Sequence, residues 1–591
     1  MKYAVQVLLF TVAPCLALAQ LPGVTEVQIS SPQHAGSDVD ILSLIYSPNG
    51  DHVCFIGDTE TEDAGELWCA DTDPGAPAVR VSGLMPSGKS VEKAGFDTTG
   101  ERLFYIAPGT DAEKEDLFMV SPDGSQPPVR LNAPLVPSGA DVINYRYHPD
   151  TNQVLYTAPS QVAGQIQLHI VSVNQPEAVT ILNGPLVSGG DVLSYEVIPA
   201  AGRVVYRADQ QVDGVDELYS VLLNGAGAVK LNGPMVGNGD VASFEVSPDG
   251  ARVAYLADED VDGVNEIFVT PIEGGGSTKV SGTAVAGGDA WHFTFSPDSQ
   301  WLLFIGDLAT DGWRDLYSTP ADGSQSTPNV LAEQIQEAPA TPVIEAVPSL
   351  PVTSDGTQVL FRSVEGNAST VRVLRAPVDG SSNAVILSGG LTQINSFQYV
   401  PGLERILVRN GSSPGNLYSI AVDASSFLPL TNFSNASIDV SGLATPGGVL
   451  YLADPAVDEQ TSVFFVDYFG LETRELTSNS AFFDGLAANP NLYVPDDRSA
   501  VYFVERHGSS IAVLYSFRLK VVELESFATA ELARIGNSAL VAGEGAFLRT
   551  LPSPTNLHQV AYIADKSMDE QADAYLATFA DGIFSDRFRD D

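Results

Sequence analysis

Residues 240–274, DVASFEVSPDGARVAYLADEDVDGVNEIFVTPIEG, decide the fold. Three apolar segments are separated by the turn Ser247-Pro248-Asp249-Gly250 and by the acidic turn from Asp258 to Gly263. Segments rich in β-branched and aromatic residues and bounded by Gly, Pro, Asp or Asn are typical of short strands. No segment between them has the apolar period of a helix. The stretch therefore predicts short consecutive antiparallel strands.

The same unit recurs along the chain with a nearly constant period. The first strand of each copy opens at Asp40, Ser90, Asp141, Asp191, Asp240 and Asp289, in steps of 50, 51, 50, 49 and 49 residues. A fixed period of this length indicates a solenoid, a propeller or an array. Four short strands in each unit are typical of a propeller blade. We therefore predict an all-β fold, a β-propeller of four-stranded blades.

Two further features repeat with the blade. The third strand begins with an acidic, an aliphatic and an aromatic residue, as in Glu217-Leu218-Tyr219 and Glu266-Ile267-Phe268. The link to the next blade repeats as Leu-Asn-Gly-Pro, at residues 182–185 and 231–234. Both features indicate that the copies share one backbone path.

The repeats fall into a strong set and a weaker set along the chain. Six clear repeats fill residues 20–339, and about five weaker units with a tail fill residues 340–591, so we expect about eleven blades of ~50 residues. Our preferred interpretation is two lobes divided at this boundary. The alternative is one large ring, closed by a strand near Val27 that completes the last unit.

The SPDG turn, the ADxxxDG turn and the Glu-Leu-Tyr-like third strand resemble the TolB-type (WD-like) propeller repeat. The resemblance covers residues 40–335 well and the rest weakly. Similar blades occur in the tricorn protease and in the non-catalytic domain of prolyl-oligopeptidase-type peptidases. The resemblance implies an exported binding protein, although one fold serves many functions.

The net charge of −45, from 74 acidic and 29 basic residues, argues against a nucleic-acid partner. Residues 1–19 read as a signal peptide, with Lys2 before an apolar run and a small-residue cleavage site that leaves Gln20 first. No later run is long enough to insert into a membrane. We therefore expect a secreted or periplasmic protein.

Cys54 and Cys69 are the two cysteines that follow the signal peptide. They fall on the second and third strands of the first blade, which are expected to be neighbours. An oxidising compartment permits a cross-strand disulfide. The alternative is a pair of buried thiols.

The acidic turn of the fifth blade is a candidate calcium site. Asp258, Asp260, Asp262 and Glu266 follow the pattern DxDxDGxxE, and calcium prefers several carboxylate oxygens around a turn. The alternative is a solvated hairpin, in which the Asp-Gly pair serves the turn geometry. No other cofactor is expected.

Asp141, Asp191, Asp240 and Asp289 precede the first strand, which lines the channel of a propeller. A ring of carboxylates at one mouth of the channel attracts cations or a basic peptide. Alternatively, each Asp closes the Gly-rich turn before it.

No catalytic set is visible in the sequence. Ser413 lies in a G-x-S-x-G match, but between two strands rather than between a strand and a helix. The histidines show no zinc pattern. We therefore expect a non-enzymatic, exported scaffold that binds a protein or peptide. The alternatives are a propeller-based hydrolase or lyase with its site in the blade loops, and a calcium-stabilised extracellular module.

Overall fold

The structure is a computed structural model. It describes residues 24–30, then 39–333 apart from 41–42, 59, 61–62, 73–77, 110–112, 136–139, 161 and 163, then 350–475 apart from 366–369, 412–414, 433–441, 445–446, 454–461 and 472, and finally 500–509, 514–523, 529–535, 547–552, 559–564 and 573–579. The predicted signal peptide and Ser413 lie outside the described residues.

Sheets 1 to 6, numbered in chain order, each contain four antiparallel strands that neighbour one another in sequence order. Their strands are Ile45–Tyr46, His52–Gly57, Glu66–Asp71 and Val79–Arg80 (sheet 1); Lys93–Phe96, Leu103–Pro108, Glu115–Val120 and Val129–Arg130 (sheet 2); Asn144–His148, Gln153–Ala158, Gln167–Ser172 and Gln175–Ile181 (sheet 3); Val192–Ile198, Arg203–Ala208, Glu217–Leu222 and Val229–Lys230 (sheet 4); Val241–Val246, Arg252–Ala257, Glu266–Pro271 and Thr278–Lys279 (sheet 5); and Ala290–Phe295, Trp301–Gly306, Asp315–Pro320 and Asn329–Ala332 (sheet 6).

The later part of the chain forms sheets of the same kind. Their strands are Gln358–Glu365, Thr370–Pro377 and Val385–Ile386 (sheet 7); Ile394–Val400, Arg405–Asn410, Asn416–Ala421 and Phe427–Pro429 (sheet 8); Gly442–Ala444, Gly448–Ala453, Ser462–Asp467 and Thr473–Glu475 (sheet 9); Ala500–Ser509, Leu514–Glu523 and Thr529–Ile535 (sheet 10); and Phe547–Pro552, Gln559–Ala564, Asp573–Phe579 and the N-terminal Val24–Gln28 (sheet 11). A 3₁₀ turn spans Pro199–Ala201. In the described part of the chain, no helix is long and apolar enough to cross a membrane. The prediction of an all-β propeller fold is confirmed.

The SPDG turn sets the register between the first two strands of a sheet. In sheet 5, Ser247 Oγ donates to Asp249 Oδ1 at 2.6 Å and accepts a hydrogen bond from the backbone N–H of Arg252 at 3.0 Å. Gly250 has a φ of 72°, a conformation that a side chain disfavours. The side-chain bonds of the turn therefore fix which residues of the two strands face each other.

Stacked aromatic rings fill the space between neighbouring sheets. Tyr206 and Tyr219 are register partners on the second and third strands of sheet 4, and their ring centroids lie 5.3 Å apart. Tyr255 and Phe268 repeat the pair at 5.3 Å in sheet 5. The rings of sheet 4 fill one of its faces, and Val205 and Leu218 are buried on the other face, as a blade between two neighbours requires.

The N-terminal strand joins the two ends of the described chain. Val24–Gln28 pairs antiparallel with Asp573–Phe579, and the backbone N–H of Ile29 donates to the carbonyl of Ala574 at 2.9 Å. Ile29 and Ala574 also pack in one cluster with Val53 and Phe55 of sheet 1. Sheet 11 therefore contacts sheet 1, as the ring alternative requires.

Sheets 6 and 7 also share a core, because Leu303 and Ile305 pack with Val359 and Phe361 across the predicted domain boundary. The number of blades and the division into lobes at residue 339 stay predictions.

Cys54 and Cys69 face each other in register on the second and third strands of sheet 1. The structure joins them in a disulfide, with 4.1 Å between the two Cα atoms. Both side chains are buried and pack in the core between sheets 1 and 2. The disulfide therefore cross-links strands that already share their backbone hydrogen bonds.

Candidate active site on the first strands

The first strand is one edge of its sheet, and first strands of neighbouring sheets contact each other. Glu245, on the first strand of sheet 5, accepts hydrogen bonds from the hydroxyl of Thr294 and the backbone N–H of Phe295 on the first strand of sheet 6, both at 3.1 Å. The Tyr145 hydroxyl, on the first strand of sheet 3, donates to the Phe104 carbonyl of sheet 2 at 2.9 Å. The first strand therefore reaches the neighbouring sheet, either its first strand or, at Phe104, its second strand, and we call the surface of the first strands the inner wall.

A cavity of about 460 Å³ opens on this wall across sheets 2, 3 and 4. Its lining includes Lys93, Asn144, Tyr145, Arg146, Leu193 and Tyr195. This volume is in the range of small-molecule sites, which are usually ~300–1,000 Å³. The cavity is therefore large enough for a small substrate or for one unit of a polymer.

Lys93 is positioned at the cavity by neutral groups. Its ammonium donates to Asn144 Oδ1 at 2.5 Å and lies 5.3 Å from the centre of the Tyr145 ring. Cation–π contact of this kind is favourable but leaves the positive charge in place. Among the described residues, no carboxylate lies within 4 Å of the ammonium.

Arg146 supplies a second positive charge from the same strand as Asn144. Its side chain is exposed, and in the described part of the chain it has no ion-pair partner within 4 Å. Burial raises the pKa of Tyr195 to about 12. The positive charge of the Arg146 guanidinium acts on Tyr195 at longer range and lowers this pKa in part. The guanidinium therefore lies near the sheet 4 side of the cavity.

Glu196 follows Tyr195 on the first strand of sheet 4. Partial burial raises the pKa of its carboxyl, and the Arg146 guanidinium opposes that shift. Glu245 on the next sheet also has a raised pKa, first because of burial and in smaller part because of the Glu196 charge. The two carboxyls differ in their bonding, since Glu245 accepts the two hydrogen bonds from sheet 6 described above.

Glu115, at the start of the third strand of sheet 2, has the most strongly raised carboxyl pKa among the described residues. Burial and the negative charges of Glu92, Asp141 and Asp116 raise its pKa to about 7, against the partial compensation of Lys89. Its Oε2 atom is buried and has no hydrogen-bond partner within the described residues. Lys89 lies 4.0 Å from the other oxygen. The carboxyl is therefore about half protonated at neutral pH.

Glu115 also touches the segment that leads into the cavity. Its backbone N–H donates to Asp141 Oδ1 at 2.8 Å, and its carbonyl accepts a hydrogen bond from the backbone N–H of Val142 at 2.9 Å. Ile143 and Asn144, the next two residues, line the cavity. The backbone thus connects Glu115 to the wall that holds Lys93.

The four Asp residues predicted at the channel mouth lie at the same end of consecutive first strands. One oxygen of each carboxylate accepts a backbone N–H from the start of the third strand in the preceding sheet. The pairs are Asp141 with Glu115, Asp191 with Ile166, Asp240 with Asp216 and Asp289 with Asn265, at 2.6 to 2.8 Å. These side chains link sheet to sheet, and Asp141 belongs to the acidic group around Glu115.

The carboxylates of the candidate calcium turn have different partners. Asp258 accepts the backbone N–H groups of Asp240 and Gly263. The Lys279 ammonium lies 2.9 Å from Asp260 Oδ2 and 2.7 Å from Glu266 Oε1. Across the residues that the structure describes, no three His, Cys, Asp or Glu side chains are placed to hold one metal ion. The positive charge beside the carboxylates of this turn is the Lys279 ammonium.

The residues of the cavity were missed in the sequence because they break the repeat. Arg146 and Glu196 occupy equivalent register positions, opposite Leu155 and Val205, and Gly95 takes this position in sheet 2. A search for repeats finds the residues that recur in each blade. The charged residues of this wall differ from blade to blade, so such a search does not find them. A position-by-position search for charge at the first strand is the signal that could have found them.

No protein-family model and no curated protein sequence matches the chain. Similar solved structures include an oligogalacturonate lyase in complex with manganese, with 14% identity over 57% of this chain and 88% of that chain at a TM-score of 0.26. A putative dipeptidyl aminopeptidase IV from Bacteroides ovatus has 12% identity over 71% of this chain and 63% of that chain at a TM-score of 0.35. A prolyl endopeptidase has 15% identity over 64% and 55% at a TM-score of 0.31. The chain thus spans less than two thirds of either peptidase.

These comparisons contradict the expectation of a non-enzymatic scaffold for protein or peptide binding. The similar structures are a lyase and peptidases, and a puromycin hydrolase is also similar, at 13% identity. The prediction that the protein is not an enzyme is therefore wrong, and the comparisons favour the alternative of a propeller-based hydrolase or lyase. At such low identities the likeness concerns the fold, so the choice of reaction rests on the residues of this chain.

Proposed function

We propose that the protein is a hydrolase or lyase whose reaction takes place beside the first strands of sheets 2, 3 and 4, with Glu115, at the start of the third strand of sheet 2, as its acid–base group. The observation that carries this proposal is the Glu115 carboxyl, with its pKa of about 7 and one buried oxygen without a hydrogen-bond partner among the described residues. General acid–base catalysis works best when the pKa of the group is near the working pH. Carboxyls perturbed by burial and like charges are concentrated at functional sites.

Glu196 and Arg146 supply the other groups that such a reaction needs. Glu196 is a second carboxyl with a raised pKa, and in the described structure it accepts no hydrogen bond. Two carboxyls in different environments can divide the roles of acid and base. The Arg146 guanidinium, which acts on Glu196, stabilises negative charge that develops on a substrate. Both hydrolysis and elimination require these three functions.

The proposal also includes the blade type and the cellular compartment of the protein. The SPDG and ADxxxDG turns support a TolB-type blade, and the leader-like residues 1–19 support export to a periplasm or the medium. The disulfide between Cys54 and Cys69 is in keeping with an oxidising compartment.

The test is an activity screen of the mature chain from Gln20 with carboxyl variants. Acidic and neutral oligosaccharides are assayed for new reducing ends and for the ultraviolet absorbance of an unsaturated product, and acidic and neutral peptides for new amines. We expect one class to be cleaved, and E115Q to lower kcat at least tenfold, or about 1.4 kcal/mol in barrier height.

E177Q is the matched control, because Glu177 is exposed on the outermost strand of sheet 3. It should retain full activity. A substrate that is cleaved equally by wild type, E115Q and E196Q would place the reaction elsewhere in the molecule.

A further inference from the structure

We propose that the cavity between the first strands of sheets 2, 3 and 4 binds the carboxylate or phosphate group of a small anionic molecule through Lys93 and Arg146. The inference deepens the proposed function, on which it rests only for the claim that this molecule is a substrate.

Lys93 and Arg146 differ in their surroundings from the cations of the fourth strands. The chain has 74 acidic residues for 29 basic ones, and basic side chains of the fourth strands have acidic partners. Lys230 lies 2.6 Å from Glu217, and Arg130 lies 3.8 Å from Asp116. Lys93 and Arg146 line one cavity, yet within the described residues neither has a carboxylate within 4 Å. In so acidic a molecule, two such cations at one cavity indicate a bound anion.

Neutral groups hold Lys93 in place at the cavity. The Lys93 ammonium is fixed by the Asn144 amide oxygen and the Tyr145 ring. Tyr145 is anchored in turn by the bond from its hydroxyl to the Phe104 carbonyl at 2.9 Å. An ammonium bonded to an amide keeps donors for an incoming anion, because it has three N–H groups. The cation is therefore positioned before a ligand arrives, which lowers the entropic cost of binding.

The size of the cavity and the geometry of its donors also favour a small anion. A cavity of about 460 Å³ is too small for a folded partner and fits a small molecule or one unit of a polymer. The guanidinium of Arg146 presents a planar set of donors that matches a carboxylate or a phosphate. The charge of the whole protein repels anions at long range, so binding must depend on these two local cations.

The test compares a neutral sugar with anions of three kinds. Glucose, glucuronate, glucose 6-phosphate and a dipeptide of aspartate are titrated into the mature protein by calorimetry at low and high salt. We expect at least one of the anions to bind and glucose not to bind, with affinity falling as salt rises. The preferred anion distinguishes a sugar carboxylate, a phosphate and a peptide carboxylate as the source. Binding of none of the anions, or equal binding of glucose, would overturn the inference.

Charge variants locate the site. K93Q and R146Q should each weaken binding roughly tenfold or more, because a hydrogen bond to a charged group contributes about 1.5–3 kcal/mol. R146K should keep part of the affinity. R252Q is the control, since Arg252 begins the second strand of sheet 5, beside the SPDG turn, and it should bind as wild type does. Equal affinity in K93Q, R146Q and wild type would contradict the assignment.

The E115Q variant separates this inference from the proposed function. If E115Q binds the anion and wild type cleaves no substrate, the anion site is supported and the proposed reaction is contradicted. Cleavage of a neutral substrate by a protein that binds no anion would support the reaction and count against the site. Thermal melting of each variant shows whether it is folded, and we expect little change because Lys93 and Arg146 are exposed.

Discussion

The ammonium of Lys279 lies 2.7 Å from Oε1 of Glu266, which joins the short fourth strand of sheet 5 to the start of its third strand. The same ammonium lies 2.9 Å from Asp260 Oδ2 in the acidic turn. Sheet 4 repeats the first contact, with Lys230 at 2.6 Å from Glu217. A two-residue strand has few backbone bonds, so this ion pair is an important tie between the outer strand and its sheet.

The acidic turn of sheet 5 should be insensitive to calcium while Lys279 is present. We expect millimolar calcium to leave the Tm of the wild type unchanged. K279Q should lower stability by about 1–3 kcal/mol, since it leaves a buried carboxylate without its charged partner, and calcium should restore part of the loss.

K230Q is the control for this prediction, because Gln211 stands in sheet 4 where Asp260 stands in sheet 5. It should lose stability without any response to calcium. A wild-type Tm that rises with calcium, and no longer rises after Asp260→Ala and Asp262→Ala together, would instead place a metal ion at the turn.

His169 should make the protein sensitive to mild acid. It is fully buried and stacks on Tyr156 at 4.6 Å, and burial lowers its pKa from 6.5 to about 4. The unfolded chain therefore binds a proton more readily, so stability is complete above pH 6.5 and falls by about 1.4 kcal/mol per pH unit toward pH 4. Urea unfolding at several pH values measures this slope.

H169F is the matched variant, because Phe268 occupies the equivalent position beside Tyr255 in sheet 5. It should fold normally and lose most of the slope between pH 4 and 6.5. The hydrogen bond from Ser160 to Gln167, at 2.9 Å, remains available in this variant. An unchanged slope in H169F would show that other groups cause the acid sensitivity.

Glu115 should have the opposite pH dependence. Its folded pKa of about 7 exceeds the ordinary 4.5, so the native state binds the proton more tightly. The stabilisation is complete below pH 4.5 and is lost as pH rises through 7. E115Q should therefore be more stable than wild type at pH 8 and less active at every pH. A variant that is less stable at pH 8 would indicate that the charged carboxylate holds the structure together.

The sequence predicted the sheets because their determinants are local and repeated. The Ser247–Asp249 turn and the aromatic pair Tyr255–Phe268 lie within one unit, so periodicity exposes them. The pairing of Val24–Gln28 with Asp573–Phe579 joins residues from opposite ends of the chain, and the sequence indicated it only as the alternative, because the last unit lacks a strand that one near Val27 could supply. The cavity combines Lys93, Asn144 and Arg146 at positions that do not repeat. The charged residues that carry the candidate function differ between blades, so a search for repeated residues does not find them.

The disulfide between Cys54 and Cys69 should contribute measurably to stability. Cross-links of this kind typically contribute about 2–4 kcal/mol by restricting the unfolded chain. We expect reductant to lower the Tm of wild type, and Cys54→Ala with Cys69→Ala to have a similarly low Tm that reductant does not change. If reductant has no effect on wild type while labelling shows free thiols, the cross-link contributes nothing to stability.

The N-terminal strand should be required for a stable and soluble protein. Deletion through Gln28 removes the partner of Asp573–Phe579 and leaves that strand as an open edge, and such edges pair with other chains. The deletion also approaches Ile29, which is 1% exposed in the core of sheets 1 and 11. We expect a lower Tm, faster amide exchange in residues 573–579 and concentration-dependent aggregation. The control is a chain that starts at Gln20, which keeps the strand. If both chains exchange and melt alike, the N-terminal strand does not hold the last sheet in place.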